Sequence, residues 1–216
     1  MKHKHNLYPI MSVEDALEKV LSVFHKLESE SVKLLDALGR ILAEDITAHG
    51  DIPPHANTAM DGYAVVAADT TGADSETPIM LNVIENLSAG YVAKSKVSSG
   101  RAIRIMTGAP MPGGADAVIP FEETEQTGDI VKLYSSVTTG KNVRYAGEDV
   151  KAGECVLRAG KYIRPQEIGM LAALGYSEVR VIRRPVVAIL ATGDELVTID
   201  APLTPGKIRN ANEFSN

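Results

Sequence analysis

The chain has no tryptophan, only three phenylalanines, and a single cysteine, Cys155. One cysteine excludes an intrachain disulfide framework, and with it the usual reason to assign a secreted, oxidising setting. No apolar run approaches the roughly 20 residues that a membrane helix needs, and no signal-peptide core stands near the start. The expected location is therefore the cytoplasm, with no membrane partner. Basic charge is also scarce. The 22 Lys and Arg against 28 Asp and Glu leave a net charge of −6, which argues against the basic footprint of a general nucleic-acid binder. A small anionic substrate stays open, because a few local donors can hold it. The five histidines show no metal-ligand spacing, and P-loop, GxGxxG and nucleophile elbow are all missing.

What is there is an ordinary globular composition of 216 residues, 44% hydrophobic and 23% charged. That length can bury the core of one large domain or two small ones. Eighteen glycines and eleven prolines imply many turns and short strands. The opening Lys2-His3-Lys4-His5 reads either as a metal-binding tract or as a disordered or vector-derived start, and carries no weight in the fold.

Along the chain, Ser12 can cap a helix in which Val13, Ala16, Leu17, Val20, Leu21 and Phe24 recur at helical spacing. Residues 32–35 read as a strand, Asp36 as a cap, residues 37–43 as a short helix and residues 44–48 as extended. From Asp51, with Pro53-Pro54 stopping any helix, the texture turns to short β-like runs: 62–66, 79–87, 101–105, 117–120 and 130–134. This predicts a small β domain, open or barrel-like. Arg164-Pro165 opens another helix, carried by residues 166–174 and stopped at Gly175. Residues 177–182 follow as a strand. Residues 186–190 are continuously apolar, the pattern of a strand buried on both faces of a parallel sheet. Too few residues follow to complete such a sheet, so the chain is expected to be a fragment.

Four stretches carry chemistry-bearing residues. Asp61 precedes Gly62 at a turn, either a hairpin corner or an acid presented to an ion. Thr107-Gly108 ends a strand, where a hydroxyl and an open backbone suit an oxyanion as well as they suit a rigid turn. Arg144 stands near Glu148 and Asp149, as an anion clamp beside a metal- or water-holding acid or as a surface ion-pair cluster. Thr192-Gly193-Asp194-Glu195 follows the buried-strand pattern, where ligands gather in open α/β sheets and where a helix-start acid also belongs. Cys155 reads as structural, and His25 as packing or solvated.

Taken together and in order, NTAMDGYAV, RIMTGAPMPGGADAVIPFEET, GKNVRYAGEDVKAGE and VVAILATGDELV closely resemble the signature segments of the MoeA family of molybdopterin molybdenumtransferases, which includes the E domain of gephyrin. The likeness runs from about Ser12 to Ile208 and includes the ALGRILAEDI run. It implies a mixed α/β, multidomain fold. An elongated discontinuous domain would take residues 1–50 and 140–183, an inserted small β domain residues 51–139, and the start of a MogA-like, molybdopterin-binding α/β domain residues 184–216.

The resemblance further implies insertion of molybdate into adenylylated molybdopterin with release of AMP, Mg²⁺-dependent, by a homodimer whose cleft combines two subunits. Residue by residue it assigns Asp61, Thr107, Asp149 and Glu195 to the catalytic site. Asp61, Asp149 and Glu195 would be metal or water organisers, and Thr107 an oxyanion donor. Arg144, Gly108, Thr192, Gly193 and Asp194 would be substrate or anion contacts. Implied partners are a MogA-like adenylyltransferase and molybdoenzyme apoproteins or cofactor carriers. A gephyrin-type scaffold and a tungstate-inserting homologue are the alternatives. Arg209-Asn210-Ala211-Asn212 departs from the family pattern, which usually has a short acidic or polar stretch leading into a helix there.

Overall fold

The computed structural model describes residues 11–215; the Lys2–His5 tract lies outside them. Helix α1 (Val13–Leu21) starts where the sequence predicts, with the Ser12 hydroxyl accepting the Asp15 backbone N–H at 3.0 Å. Its apolar stripe, including Leu17 and Leu21, is exposed. Strand β1 (Ser29–Lys33) follows, and then a 3₁₀ turn at Leu34–Ala37. The strand and short helix expected over 32–43 are corrected here: the strand starts earlier, and Asp36 sits inside the 3₁₀ turn. Gly39, at φ 74°, then breaks helical continuation. Beyond it the Leu42 N–H donates to Lys161 and the Ala43 N–H to Arg180, so cross-chain pairing replaces helical bonds.

Two short strands, β2 (Ile46–Thr47) and β3 (Asn57–Thr58), lead into the main sheet. It contains β4 (Gly62–Val65), β5 (Ile79–Leu87), β6 (Arg101–Ile105), β7 (Ala117–Pro120), β8 (Thr124–Thr127) and β9 (Ile130–Leu133). Spatial order is β7-β4-β6-β5-β9-β8. Only β5 and β6 run parallel, with a register shift between Val83 and Glu85. The sheet curls. Alternate residues of five strands, Tyr63, Leu81, Ala102, Ile119 and Val131 among them, converge on one core, while Ala64, Leu87, Ile103, Ile105 and Val118 fill a second on the opposite face.

After this sheet the chain returns through β10 (Val143–Arg144), β11 (Cys155–Leu157), α2 (Pro165–Ala173) and β12 (Glu178–Ile182). β10 pairs with β3, β11 with β2 and β12 with β1, all antiparallel. A separate core of Leu42, Ile46, Ile163, Leu171, Val179 and Val181 is thus built from segments on both sides of the main sheet. Each such side chain contributes about 1.5–3 kcal/mol on burial.

Glu167, 5% exposed, anchors α2. It accepts the Arg164 guanidinium at 2.8 Å and the Arg164 backbone N–H at 3.0 Å. The Arg164 side chain is the main reason its carboxyl falls from 4.5 to about 2, with burial opposing. A carboxyl depressed on folding stabilises the native state above its ordinary pKa, and this contribution is lost as pH falls from about 4.5 toward 2. Glu167→Gln is therefore expected to lower stability at pH 7 and to flatten its dependence on pH across that window. Chemical denaturation at a series of pH values checks this, and a parallel pH dependence in the variant would refute it.

Residues 186–190 form no strand, contrary to expectation: Val186 is 92% and Leu190 87% exposed. Among the described residues after this run the strands are a two-residue parallel pair, β13 (Leu196–Val197) with β14 (Ile208–Arg209), and neither pairs with the run. A strand of this apolar pattern needs a sheet to pair with and cover on both faces.

Candidate functional site

Pairing in the main sheet brings Asp61 to Thr107. Gly62 lies opposite Ile105 and Tyr63 opposite Arg104, so the residue before β4 and the loop after β6 meet at one end. Asp61 Oδ1 accepts both the Thr107 backbone N–H and its hydroxyl, each at 2.7 Å. The backbone bond, then the hydroxyl bond, hold the Asp61 carboxyl below the usual carboxylate range, with the Arg104 charge adding to them. Both Thr107 donors are committed to Asp61, so Thr107 is the holder of the acid rather than a free oxyanion donor. Oδ2 has no hydrogen-bond partner among the described residues, and Asp61 is exposed.

Thr107→Val keeps the backbone donor and deletes the hydroxyl. The Asp61 carboxyl should then titrate higher than in the wild type, read from its side-chain carbon resonance. An unmoved titration would show that the hydroxyl bond does not matter.

A buried threonine knits this corner to the next stretch. Thr58 is fully buried; its hydroxyl bridges to the Met60 carbonyl at 2.7 Å, and its N–H and C=O pair with Ala109 and Gly108. The same short strand, β3, sets Asn57 opposite Arg144 of β10. Three of the four sequence stretches therefore share one backbone junction. No hydrogen bond or ion pair among the described residues joins Asp61 to Arg144 or Asp149. Arg144 pairs instead with Asp149, and its Nε lies 4.0 Å from Glu148. These partly exposed groups form an ion-pair cluster of small energetic weight.

The fourth stretch stays apart. Thr192, Gly193, Asp194 and Glu195 are exposed, and the Glu195 carboxylate folds over Gly193, where an added Cβ would come within 2.5 Å of it. The Asp194 carbonyl accepts Lys207 Nζ, and the Glu195 carbonyl accepts the Ile208 N–H at 2.8 Å. No group of three or more His, Cys, Asp or Glu able to hold a metal occurs among the described residues. Asp61, Asp149 and Glu195 are thus not gathered into one site within a single chain. No helix of the described residues is long and apolar enough to cross a membrane.

Arg104 and Phe121 are parts of the corner that sequence reasoning passed over. Arg104 lies over the Phe121 ring at 4.7 Å, and that ring meets Tyr63 edge-on at 5.4 Å. The available signal was a second arginine in the Arg-Ala-Ile-Arg-Ile strand, placed between two isoleucines and three positions before Thr107.

Residues 11–175 match the family model described as "MoeA N-terminal region (domain I and II)". The chain belongs to the MoeA family. It is 41% identical over 202 residues to a molybdopterin molybdenumtransferase of Staphylococcus epidermidis, covering 94% of this chain and 48% of the relative. It is 42% identical over 204 residues to that of Bacillus subtilis, covering 93% and 47%. The chain thus spans about half the length of the curated MoeA relatives it matches. In structure it is similar to the molybdopterin biosynthesis moeA protein of Pyrococcus horikoshii OT3, with a TM-score of 0.85, 43% identity, and coverage of 93% of this chain and 54% of that one. As in these MoeA proteins, the fold is α/β with a curled mixed sheet.

Proposed function

We propose that this chain supplies one half of the machinery of a molybdopterin molybdenumtransferase, which inserts molybdate into adenylylated molybdopterin and releases AMP. The observation that carries the reading is the Asp61–Thr107 pair: an acid held ionised at one oxygen, with the other unpaired among the described residues, in a chain of this family. In the proposed chemistry Asp61 Oδ2 accepts a hydrogen bond from the water or hydroxyl group that must be oriented at the substrate's pyrophosphate linkage. Thr107 keeps the acid charged and still. Gly108 leaves the approach open, since nothing lies within 4 Å of where its Cβ would be. Arg144 holds Asp149 and would exchange that partner for a substrate anion.

The proposal includes the domain division expected from the resemblance, with residues 51–139 as an inserted β domain and residues 184–216 as the start of a MogA-like domain. It also includes a cytoplasmic homodimer in which the Thr192–Glu195 turn of a second copy faces Asp61. A MogA-like enzyme would supply the substrate, and carriers or apoenzymes would accept the product. A hydrated magnesium ion needs only one or two carboxylates beside substrate phosphate oxygens, and the exposed Asp61 and Asp149 are carboxylates that would hold it, although no group of three such ligands occurs among the described residues.

The test is a chimera in which this chain replaces the matched half of the Bacillus subtilis relative. Folded chimera that releases AMP from adenylylated molybdopterin only when molybdate is added is the expected result. A folded chimera with no molybdate-dependent release would overturn the reading.

A further inference from the structure

We infer that Arg104 is an oxyanion-binding residue of the Asp61–Thr107 corner, taking a tetrahedral oxyanion in a bidentate grip while Phe121 serves as its platform. The inference rests on the functional reading above and adds to it a residue and a ligand chemistry.

The placement follows from the sheet. Tyr63 and Arg104 are directly opposed across β4 and β6, so their side chains share a face. Asp61 stands just before β4, and its carbonyl accepts the N–H of Phe121, the ring on which the Arg104 guanidinium rests. Ala102, two residues before Arg104, is fully buried in the core that also holds Tyr63. Arg104 is the last residue of this row before the strand ends, half-buried at the rim of that core.

Among the described residues Arg104 forms no ion pair with a carboxylate, like Arg101, Arg180, Arg184 and Arg209 and unlike Arg40, Arg144, Arg158, Arg164 and Arg183; what sets it apart is where its guanidinium rests. The guanidinium lies on the Phe121 ring. Phe121 is fixed from two sides: its N–H donates to the Asp61 carbonyl at 3.1 Å, and its ring packs against Tyr63. Tyr63 is held in turn by its hydroxyl bond to Gln126 at 2.6 Å.

A guanidinium stacked on a ring uses its face and keeps its edge donors; the Tyr63 hydroxyl engages part of the Arg104 edge, and the remaining donors suit phosphate-like oxygens. Pre-stacking also removes most of the rotamer freedom that an exposed arginine would lose on binding. A carboxylate close by does not remove the need for this cation. An anionic substrate can approach Asp61 only if a positive charge offsets the repulsion, and Arg104 is placed to do so.

Two oxyanions belong to the proposed reaction, the pyrophosphate linkage of the adenylylated substrate and molybdate. The test uses the 216-residue chain with arginine side chains labelled with ¹⁵N, titrated separately with inorganic pyrophosphate and with sodium molybdate, following the Arg104 Nε resonance. Arg104→Gln is expected to weaken binding of at least one anion about tenfold, the scale of one charge-assisted contact. The anion affected identifies the source. Arg104→Lys keeps the charge and stem but not the fork, and is expected to bind several-fold more weakly with an unchanged melting curve.

A wild-type chain that binds neither anion overturns the inference. So does wild-type affinity in Arg104→Gln, or in Arg104→Lys should the glutamine variant not fold. Failure of the enzyme reading is seen separately, as a folded chimera without molybdate-dependent AMP release while the chain's anion binding still depends on Arg104.

Discussion

Gly62→Ala is expected to unfold the six-stranded sheet or to leave it barely stable. A Cβ built at Gly62 would lie 2.0 Å from the Ile119 carbonyl oxygen and 2.8 Å from its carbon. Both contacts are backbone, so no side chain can rotate away. β4 cannot retreat either, because it is hydrogen-bonded to β6 on one edge and β7 on the other, with Gly62 opposite both Ile105 and Pro120. Relief requires breaking one of those ladders and opening both cores packed on the sheet. The expected cost is about 3 kcal/mol or more, at the upper end for overpacking. Urea unfolding followed by circular dichroism measures it. Gly72→Ala is the control: its φ is 82° with nothing within 4 Å, so only backbone strain opposes it and about 1 kcal/mol is expected. Equal midpoints for the two variants would refute the steric argument.

One residue earlier, Asp61→Ala is expected to separate chemistry from folding. In the chimera with the Bacillus subtilis relative, molybdate-dependent AMP release should fall by about a hundredfold or more, the scale of losing a positioned acid-base group. The folded state should survive, because Asp61 is exposed and the partner it releases, Thr107, is exposed too and can bond to water. Thr107→Val should lie between this variant and the wild type in rate, since it loosens the acid without removing it. A chimera carrying Asp61→Ala with undiminished AMP release would remove Asp61 from the mechanism. Neighbouring residues thus carry opposite expectations: Gly62 decides whether the sheet forms, and Asp61 decides what happens at its end.

Much of the local structure was legible in the chain. Ser12 announced its helix because its hydroxyl can meet the Asp15 N–H within one turn. Arg164-Pro165 announced the second helix, and residues 79–87, 101–105 and 117–120 formed strands over the expected spans. Strand β8 was missed because Thr-Glu-Gln-Thr has no apolar alternation; it is an edge strand with no residue fully buried, and pairing with β9 supplies what its side chains do not. The helix expected over 37–43 failed for the converse reason: local periodicity lost to Gly39 and to bonds with Lys161 and Arg180, more than a hundred residues away.

The sequence by itself determined the family, through four motifs in order, and most elements, because capping, proline stops and alternation act over a few residues. Tertiary structure decided which chemical groups meet. The Asp61–Thr107 contact exists because Gly62 pairs with Ile105 across a sheet, and no local pattern encodes that register. Arg104 sits beside Phe121 for the same reason, because β6 and β7 flank β4 on its two edges. Residues 186–190 mark the other limit: their apolar pattern is real, yet a strand is a shared object, and without a partner's backbone groups the pattern alone cannot make one.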